Sequence, residues 1–189
     1  YNHLQVSTSL YVLRVLPDDA TYSNLFLMAN EDATASITVE SLDSMNSIAE
    51  LDTQLQTVVG TKTPIAYFIC VGRGDWYNNI GIRFTEHANP EVEGVYILDI
   101  YETQSDGDDQ IIESFEVSFD AQMLDDTGSS MFIEDVLNRY SRVLRVKTND
   151  DGIDVMVAED LSYSDPFASP NAVHLDEGSE GSLVTVDPT

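Results

Sequence analysis

Basic residues are scarce in this chain: 8 lysines and arginines stand against 34 aspartates and glutamates, a formal net charge of −26. Such an excess of negative charge repels phosphate backbones and anionic lipid headgroups. The balance therefore argues against a nucleic-acid partner and against docking on a membrane. Half of the bases fall in one short stretch, where we expect them to balance local acids or to meet an acidic neighbour: Arg139, Arg142, Arg145 and Lys147.

Cysteine and histidine, the residues most used in metal and nucleophile chemistry, are also scarce. The single cysteine, Cys70, cannot form an internal disulfide, and its apolar neighbours predict a buried small side chain rather than a nucleophile. The three histidines, His3, His87 and His174, lie far apart and lack the short spacing of metal ligands. The sequence contains neither a Gly-x-Ser-x-Gly elbow nor a phosphate-binding glycine loop. We therefore predict no catalytic residues, no metal and no cofactor.

Long apolar runs and targeting signals are missing as well. No run of about 18 apolar residues occurs, so no membrane-spanning helix is expected. The chain starts at Tyr1 without the basic and apolar regions of a signal peptide. The expectation from this start is a piece of a longer polypeptide.

Hydrophobic periodicity predicts a sheet-rich chain with two short helices. The helices are predicted over 48–59 and 131–140, where apolar residues recur at helical spacing. Asp- and Gly-rich turns at 105–108 and 149–152 predict two hairpins. The fold class is therefore α+β with mixed, mostly antiparallel sheets. The predicted strands are 10–16, 35–39, 66–71, 80–85, 94–102, 110–119, 142–148 and 153–158.

The string Asp126-Thr127-Gly128 spells the active-site signature of aspartic proteases. That chemistry needs two aspartates that share one proton, and the chain carries one copy of the string. In such enzymes the motif also follows an apolar strand directly, whereas Asp125 stands in that position here. The surrounding Asp, Thr and Ser residues are typical of loops and helix N-caps. We predict the entry to the helix 131–140, with a protease half as the alternative.

Two further patterns have a local explanation. Arg73-Gly74-Asp75 spells the integrin-binding tripeptide, but three residues recur often by chance, and Trp76 and Tyr77 beside it favour partial burial. We interpret it as a turn. The acidic clusters 106–109 and 150–154 lack the alternating spacing of an EF-hand, so we interpret them as hairpin turns and leave only a loose calcium site open.

Four segments, in order along the chain, resemble the contractile tail sheath proteins of bacteriophages. They are "LYVLRVLPDDATYSN" (10–24), "VGRGDWYNNIGIRF" (71–84), "ESFEVSFDAQMLDDTGSSMFIEDVLNRYSRVLRV" (113–146) and "HLDEGSEGS" (174–182). The third is similar to a family pattern of an alternating strand ending in Val-Ser, a Gly-Ser, a helix of the form "fIedvlN", and then a Ser and a second strand. The fourth is similar to "l-x-GGsdG", with Glu177 in place of one glycine.

The resemblance implies a domain organisation of the sheath type. Residues 1–30 would be part of a conserved sheath domain that contains the strand 10–16. Residues 31–62 would be a variable segment with the helix 48–59. Residues 63–160 would be the main α+β domain, and 161–189 an acidic, loop-rich tail leading to a further segment.

The function implied by the resemblance is structural. Sheath subunits polymerise round an inner tail tube and contract during DNA delivery, so the implied partners are other sheath subunits and the tube, and the implied location is the virion tail. The chain resembles an interior segment, so we expect a non-enzymatic, protease-resistant piece that is monomeric alone. The alternative is a non-catalytic binding or adhesion domain of another virion surface protein, with Trp76 and Tyr77 as contacts.

Overall fold

The computed structural model of the chain describes residues 16–30, 37–40, 62–89, 92–149 and 173–181. These residues form two four-stranded antiparallel sheets, one α-helix and one 3-10 helix, which agrees with an α+β class of mostly antiparallel sheets. Several predictions lie outside the described residues. They are the strand 10–16 except Leu16, the helix 48–59, the strand 153–158 and the acidic cluster 150–154.

The first sheet has the strand order β2-β1-β3-β7, and all its pairings are antiparallel. Its central strand β3 contains the predicted strand 66–71, and the side chains from Ala66 to Cys70 are fully buried on both faces. A continuous apolar run is typical of such a two-sided strand. The strands are β1 (Tyr22–Asn30), β2 (Ile37–Glu40), β3 (Lys62–Arg73) and β7 (Leu144–Thr148).

The second sheet has the strand order β6-β5-β4-β8 and is also antiparallel. The predicted hairpin of 94–102 and 110–119 is confirmed, and Leu98 pairs with Phe115 at its centre. Its turn uses Gly107 at φ 89°, a left-handed conformation that glycine adopts without strain. The strands are β4 (Ile80–Glu86), β5 (Val95–Thr103), β6 (Asp109–Ser118) and β8 (Val173–His174).

A short 3-10 helix, Asp75–Asn79, joins the two sheets, because it stands between the end of β3 and the start of β4. The α-helix α1 (Ile133–Tyr140) follows β6 and packs against β6 and β7. It confirms the helix predicted over 131–140 with a later start. Its buried side chains are Ile133, Val136 and Leu137.

One hydrophobic cluster lies between the sheets and beneath α1. Phe68 of the first sheet and Phe84 of the second meet edge to face, with ring centroids 6.4 Å apart. Phe119, just after β6, packs on Phe84 at 5.7 Å. Leu137 and Val146 belong to the same cluster, so α1 and β7 share this core.

The segment 173–181, predicted as part of a loop-rich tail, joins both sheets. Val173 and His174 pair with β4, and Leu175 is buried in the core. Isolated bridges then connect Asp176 to Asn24 and Ser179 to Thr21. This segment therefore closes the edge of the second sheet and ties it to the start of β1.

Candidate functional site

The Asp-Thr-Gly string lies in the loop 120–131, which joins β6 to α1. Within it, Asp125 Oδ1 accepts hydrogen bonds from Thr127 N at 2.8 Å, Thr127 Oγ1 at 2.7 Å and Ser129 N at 2.8 Å. Gly128 adopts φ 82°, which closes the turn. The hydroxyl of Thr127, followed by the backbone N–H of Ser129, lowers the pKa of Asp125 below its usual value.

These contacts make Asp125 the structural carboxylate of the loop, although it is as exposed as Asp126 of the protease-like string. The loop interpretation is confirmed, but the predicted side-chain N-cap is not. The residue at the N-cap of α1 is Phe132, which has no side-chain cap. Instead, Ser130 Oγ accepts from Phe132 N at 3.2 Å and donates to Asp135 Oδ2 at 2.7 Å. Ser130 therefore lies two residues before the N-cap position. The sequence pattern did not predict this position, because Met131 and Phe132 separate the cap-forming residues from the first helical turn.

The Arg-Gly-Asp tripeptide lies at the junction between the sheets, as the turn interpretation expects. Arg73 ends β3, its Nη1 donates to the carbonyl of Asp18 at 3.3 Å, and its guanidinium lies over the Tyr22 ring. Gly74 is buried at φ 110°, and Asp75 begins the 3-10 helix. A buried glycine and an anchored arginine do not form a protruding adhesion loop.

Trp76 and Tyr77 differ in burial, although partial burial was expected of both. Trp76 is 42% exposed, whereas Tyr77 packs against the hydrophobic core and covers Gly72. The two rings meet edge to face with centroids 4.8 Å apart. Trp76 is therefore the aromatic side chain available to a partner at this junction.

Asn78 of the 3-10 helix connects three segments of the chain. Its Oδ1 accepts hydrogen bonds from Ser23 Oγ at 2.6 Å and Gly178 N at 2.9 Å, and its Nδ2 donates to Gly178 O at 3.1 Å. A Cβ at Gly178 would collide with Ser23, Asn78 and the carbonyl of Gly74. Because these three groups approach its backbone so closely, position 178 requires glycine.

A polar cluster on the outer face of the second sheet has no counterpart among the predicted sites. Asp99 is 8% exposed, and its carboxylate lies 3.2 Å from Arg83 Nη2 and accepts from Ser114 Oγ at 2.7 Å. The guanidinium of Arg83 also lies over the Tyr101 ring at 4.9 Å. Burial, with a contribution from Asp99 that Arg83 opposes, raises the pKa of Tyr101. The sequence does carry one sign of this cluster. Asp99 is a charged residue within the apolar run of β5, and a buried charge needs a partner.

The two described histidines each pair with an acid at opposite ends of the second sheet. His174 Nε2 lies 3.5 Å from Asp109 and 2.7 Å from Thr103 Oγ1, so it fastens β8 to β5 and β6. His87 Nε2 lies 3.8 Å from Glu116. In the described part of the chain, no group of three or more metal-ligating side chains converges. His3 lies outside that part.

The described acidic cluster, 106–109, forms the hairpin turn that was predicted. Asp106 Oδ1 accepts from the backbone N–H of Asp108 at 3.3 Å, and Asp109 accepts from Thr103 Oγ1 at 2.6 Å. Asp106 therefore acts within the turn, whereas Asp109 contacts both Thr103 of β5 and His174 of β8.

In the basic stretch, Lys147 pairs with a local acid, as one of the two interpretations expects, whereas the described contacts of the three arginines are of other kinds. Lys147 Nζ lies 2.9 Å from Glu134 Oε1, and Arg145 Nη1 donates to the carbonyl of Ser141 at 2.8 Å. Arg139 lies over the ring of Tyr140. Arg142 uses its backbone N–H, which donates to Glu113 at 2.9 Å.

Cys70 is fully buried, as predicted from its apolar neighbours. Burial raises the pKa of its thiol, because the thiolate would lose its hydration in the core. A neutral, inaccessible thiol is a packing residue rather than a nucleophile.

No protein-family model matches the chain, and no curated protein matches its sequence. The helices of the described residues include none long and apolar enough to cross a membrane.

Proposed function

We propose that this chain is a structural segment of a bacteriophage contractile tail sheath protein, with sheath-type middle or outer domains and no catalytic activity. Its partners are other sheath subunits and the inner tail tube, and its location is the virion tail. The 189-residue piece on its own is a monomer.

The observation that supports this proposal is what the resembling segments do in the fold. In three of them, 71–84, 113–146 and 174–182, described polar and glycine residues join distant elements of the fold. Asn78 joins the 3-10 helix to Gly178, as described above. Motif residues that hold the elements of the fold together are consistent with a structural role for the protein.

The segment 113–146 contains a second set of such joints. Ser118 Oγ is buried and donates to the carbonyl of Gly94 at 2.7 Å. Asn138, the "N" of the helix pattern, bonds both the N–H and the carbonyl of Val146, at 3.0 and 2.9 Å. Ser141, the serine after the helix, donates to Glu113 Oε2 at 2.6 Å and accepts from Leu144 N at 3.0 Å.

Glu177 supports the resemblance at the position where the chain departs from it. The family pattern has glycine there, and Glu177 adopts φ 69°, within the left-handed region that favours glycine. Elsewhere in the described ranges, positive φ occurs only at glycines. The backbone thus keeps the conformation of the glycine pattern although the side chain differs.

Electron microscopy of the whole polypeptide that carries this chain tests the proposal. We expect negatively stained, striated hollow tubes, decorated at regular intervals by an antibody fragment raised against the 189-residue piece. The piece alone should stay dispersed. Dispersed particles from the whole polypeptide, under conditions of low and physiological salt, would contradict the sheath role.

A binding or adhesion domain is the second candidate, and the exposure of Trp76 is the observation that favours it. An exposed indole on the 3-10 helix is a suitable stacking surface for a sugar or peptide. Glycan-array binding that is lost on Trp76→Ala and retained on Tyr140→Ala would support this function. Tyr140 is a suitable control because it is an exposed aromatic residue on a different element, α1.

A further inference from the structure

The loop 120–131 is rigid, although it lies on the surface. Its two arms pair through Asp125 N to Ser129 O at 2.9 Å and Met131 N to Met123 O at 3.0 Å. The Asp125 carboxylate fixes the turn from inside, as described above. A loop held in this way loses little conformational freedom when a partner binds to it.

This rigid loop holds an apolar side chain in solvent. Leu124 is 56% exposed, and Val92 beside it is 36% exposed. Together with Met123 and Met131 they line an open cavity of about 270 Å³. On the other side of the loop, a groove of about 780 Å³ extends toward α1 and ends at Tyr140, which is 57% exposed. Glu116, Asp125 and Met131 border both spaces, so the two form one continuous surface.

The charged groups on this surface are mostly acidic. Glu134 is paired with Lys147, and Asp135 accepts from Ser130, so these two carboxylates are already engaged. The side chain of Glu116 is 58% exposed, with His87 at 3.8 Å as its described ion-pair partner. Asp126 is exposed beside Leu124 and lines the smaller cavity. Two accessible carboxylates therefore flank the exposed leucine.

We propose that the loop 120–131 is a docking surface for a cationic amphipathic segment of another protein. Lysine or arginine side chains of the partner bind Glu116 and Asp126, and an apolar side chain packs on Leu124 and Met131. Charge complementarity selects this occupant: the same loop of a second copy presents the same carboxylates and is repelled, as is a nucleic acid. This surface is independent of the proposed sheath role.

Peptide binding to the purified chain tests the surface. The probe is a short fluorescent peptide of alternating lysine and leucine, and its companion carries serine in place of leucine. We expect the lysine–leucine peptide to bind more tightly by fluorescence anisotropy, and to shift the backbone amide NMR signals of 116, 123–131 and 134–140. Equal affinity for both peptides would overturn the proposal, because binding would then depend on charge alone.

Matched variants locate the binding site. Leu124→Ser should lower the affinity for the lysine–leucine peptide by about tenfold, since it removes the apolar contact. Asp126→Asn should lower it by about threefold, since it removes one charge. The controls make the same changes elsewhere: Ile111→Ser, at a side chain 49% exposed, and Asp106→Asn, in the β5–β6 turn. Both controls should bind within about twofold of the unchanged chain. If the control variants lose as much peptide affinity as the loop variants, the peptide does not bind at this loop and the proposal is wrong.

Discussion

Single polar side chains in this protein act as connectors between segments that are far apart in sequence. Asn78 satisfies donors and acceptors of residues 55 and 100 positions away, Ser23 and Gly178. Over a shorter span, Asn138 fastens helix α1 to a strand residue eight positions away. Each such side chain satisfies backbone groups that would otherwise lose their hydrogen bonds when water is excluded.

Asn78→Ala should destabilise the chain by about 1–3 kcal/mol, because it removes the hydrogen bonds at the junction and leaves part-buried partners unsatisfied. The measurement is the free energy of unfolding from urea denaturation. Asn79→Ala is the matched control, since Asn79 is exposed and bonds only locally, to the carbonyl of Trp76. An equal loss in both variants would show that the junction depends on the 3-10 helix as a whole and not on Asn78.

Glu177→Gly should stabilise the chain by about 0.5–1 kcal/mol, because glycine adopts a positive φ without steric cost. Thermal unfolding of the variant beside the unchanged chain measures the gain. Glu180→Gly removes the same charge three residues after Glu177, at a residue without positive φ, and should destabilise. Stabilisation by both variants would trace the gain to lost charge rather than to relieved backbone strain.

Asp125→Ala should lower the melting temperature at neutral pH, because it removes the acceptor that holds the loop 120–131. The folded-state pKa of Asp125 is lower than its unfolded value of about 3.9. Its stabilising contribution is therefore complete above about pH 4 and is lost as the pH falls through the folded-state pKa. The difference in melting temperature between the unchanged chain and the variant should narrow below pH 4.

Asp126→Ala serves as the control for the neighbouring carboxylate. It should leave the melting temperature nearly unchanged at every pH, because no hydrogen bond or ion pair joins Asp126 to the rest of the described chain. Peptidase activity at acid pH that disappears in Asp126→Asn would revive the protease alternative. A larger stability loss from Asp126 than from Asp125 would mean that the two carboxylates exchange roles in solution.

The elements of this fold follow their sequence signals to different degrees. The β5–β6 hairpin and α1 are local structures, and alternating or helical periodicity with a glycine turn was sufficient to predict them. Strand β1 was not predicted. Its apolar run from Leu25 to Met28 is short, and both its faces are buried, so no alternation marks it as a strand.

Helix α1 is fastened to β7 by side chains rather than by its termini. Asn138→Ala should cost about 1–3 kcal/mol, because the N–H and carbonyl of Val146 lose their side-chain partner at the edge of the first sheet. Urea denaturation followed by circular dichroism measures the loss. Arg139→Ala, one residue along on the exposed face, should change stability by less than about 0.5 kcal/mol. Equal effects would indicate that helix propensity, and not the join to β7, controls stability here.

The candidate sites were predictable only where the chemistry is local. The turn interpretation of Arg73-Gly74-Asp75 and the loop interpretation of Asp126-Thr127-Gly128 needed only neighbouring residues. The cluster of Arg83, Asp99 and Ser114 was not predictable, since its members come from three strands and meet only through the sheet register. The exposure of Leu124 was not predictable either, because an isolated leucine in a loop carries no signal of its solvent contact.

At the scale of the molecule, the dominant property is charge. With a net charge of −26, the folded chain is opposed by repulsion among its own carboxylates. Ordered ion pairs such as Lys147–Glu134 relieve little of this, since the chain has only 8 bases. Packing in the core between the two sheets must therefore outweigh the repulsion among the surface carboxylates.

Moderate salt should raise the melting temperature, because ions screen repulsion between exposed carboxylates. A scan from low ionic strength to about 0.5 M sodium chloride measures the effect, with sodium sulfate excluded because it also strengthens apolar burial. A fall in the melting temperature over this range would show that the acids are mainly paired or bound to ions.

The sequence by itself determined the β5–β6 hairpin, helix α1, the excess of acidic charge and the lack of a recognisable catalytic motif, because periodicity and composition depend on neighbouring residues. Tertiary structure alone decided which strands share a sheet, that the segment 173–181 closes the second sheet, and that Asn78 meets Gly178. These features join residues as far apart as Thr21 and Ser179, which are 158 positions apart. Such pairings depend on the summed packing of the whole core, which no local pattern contains.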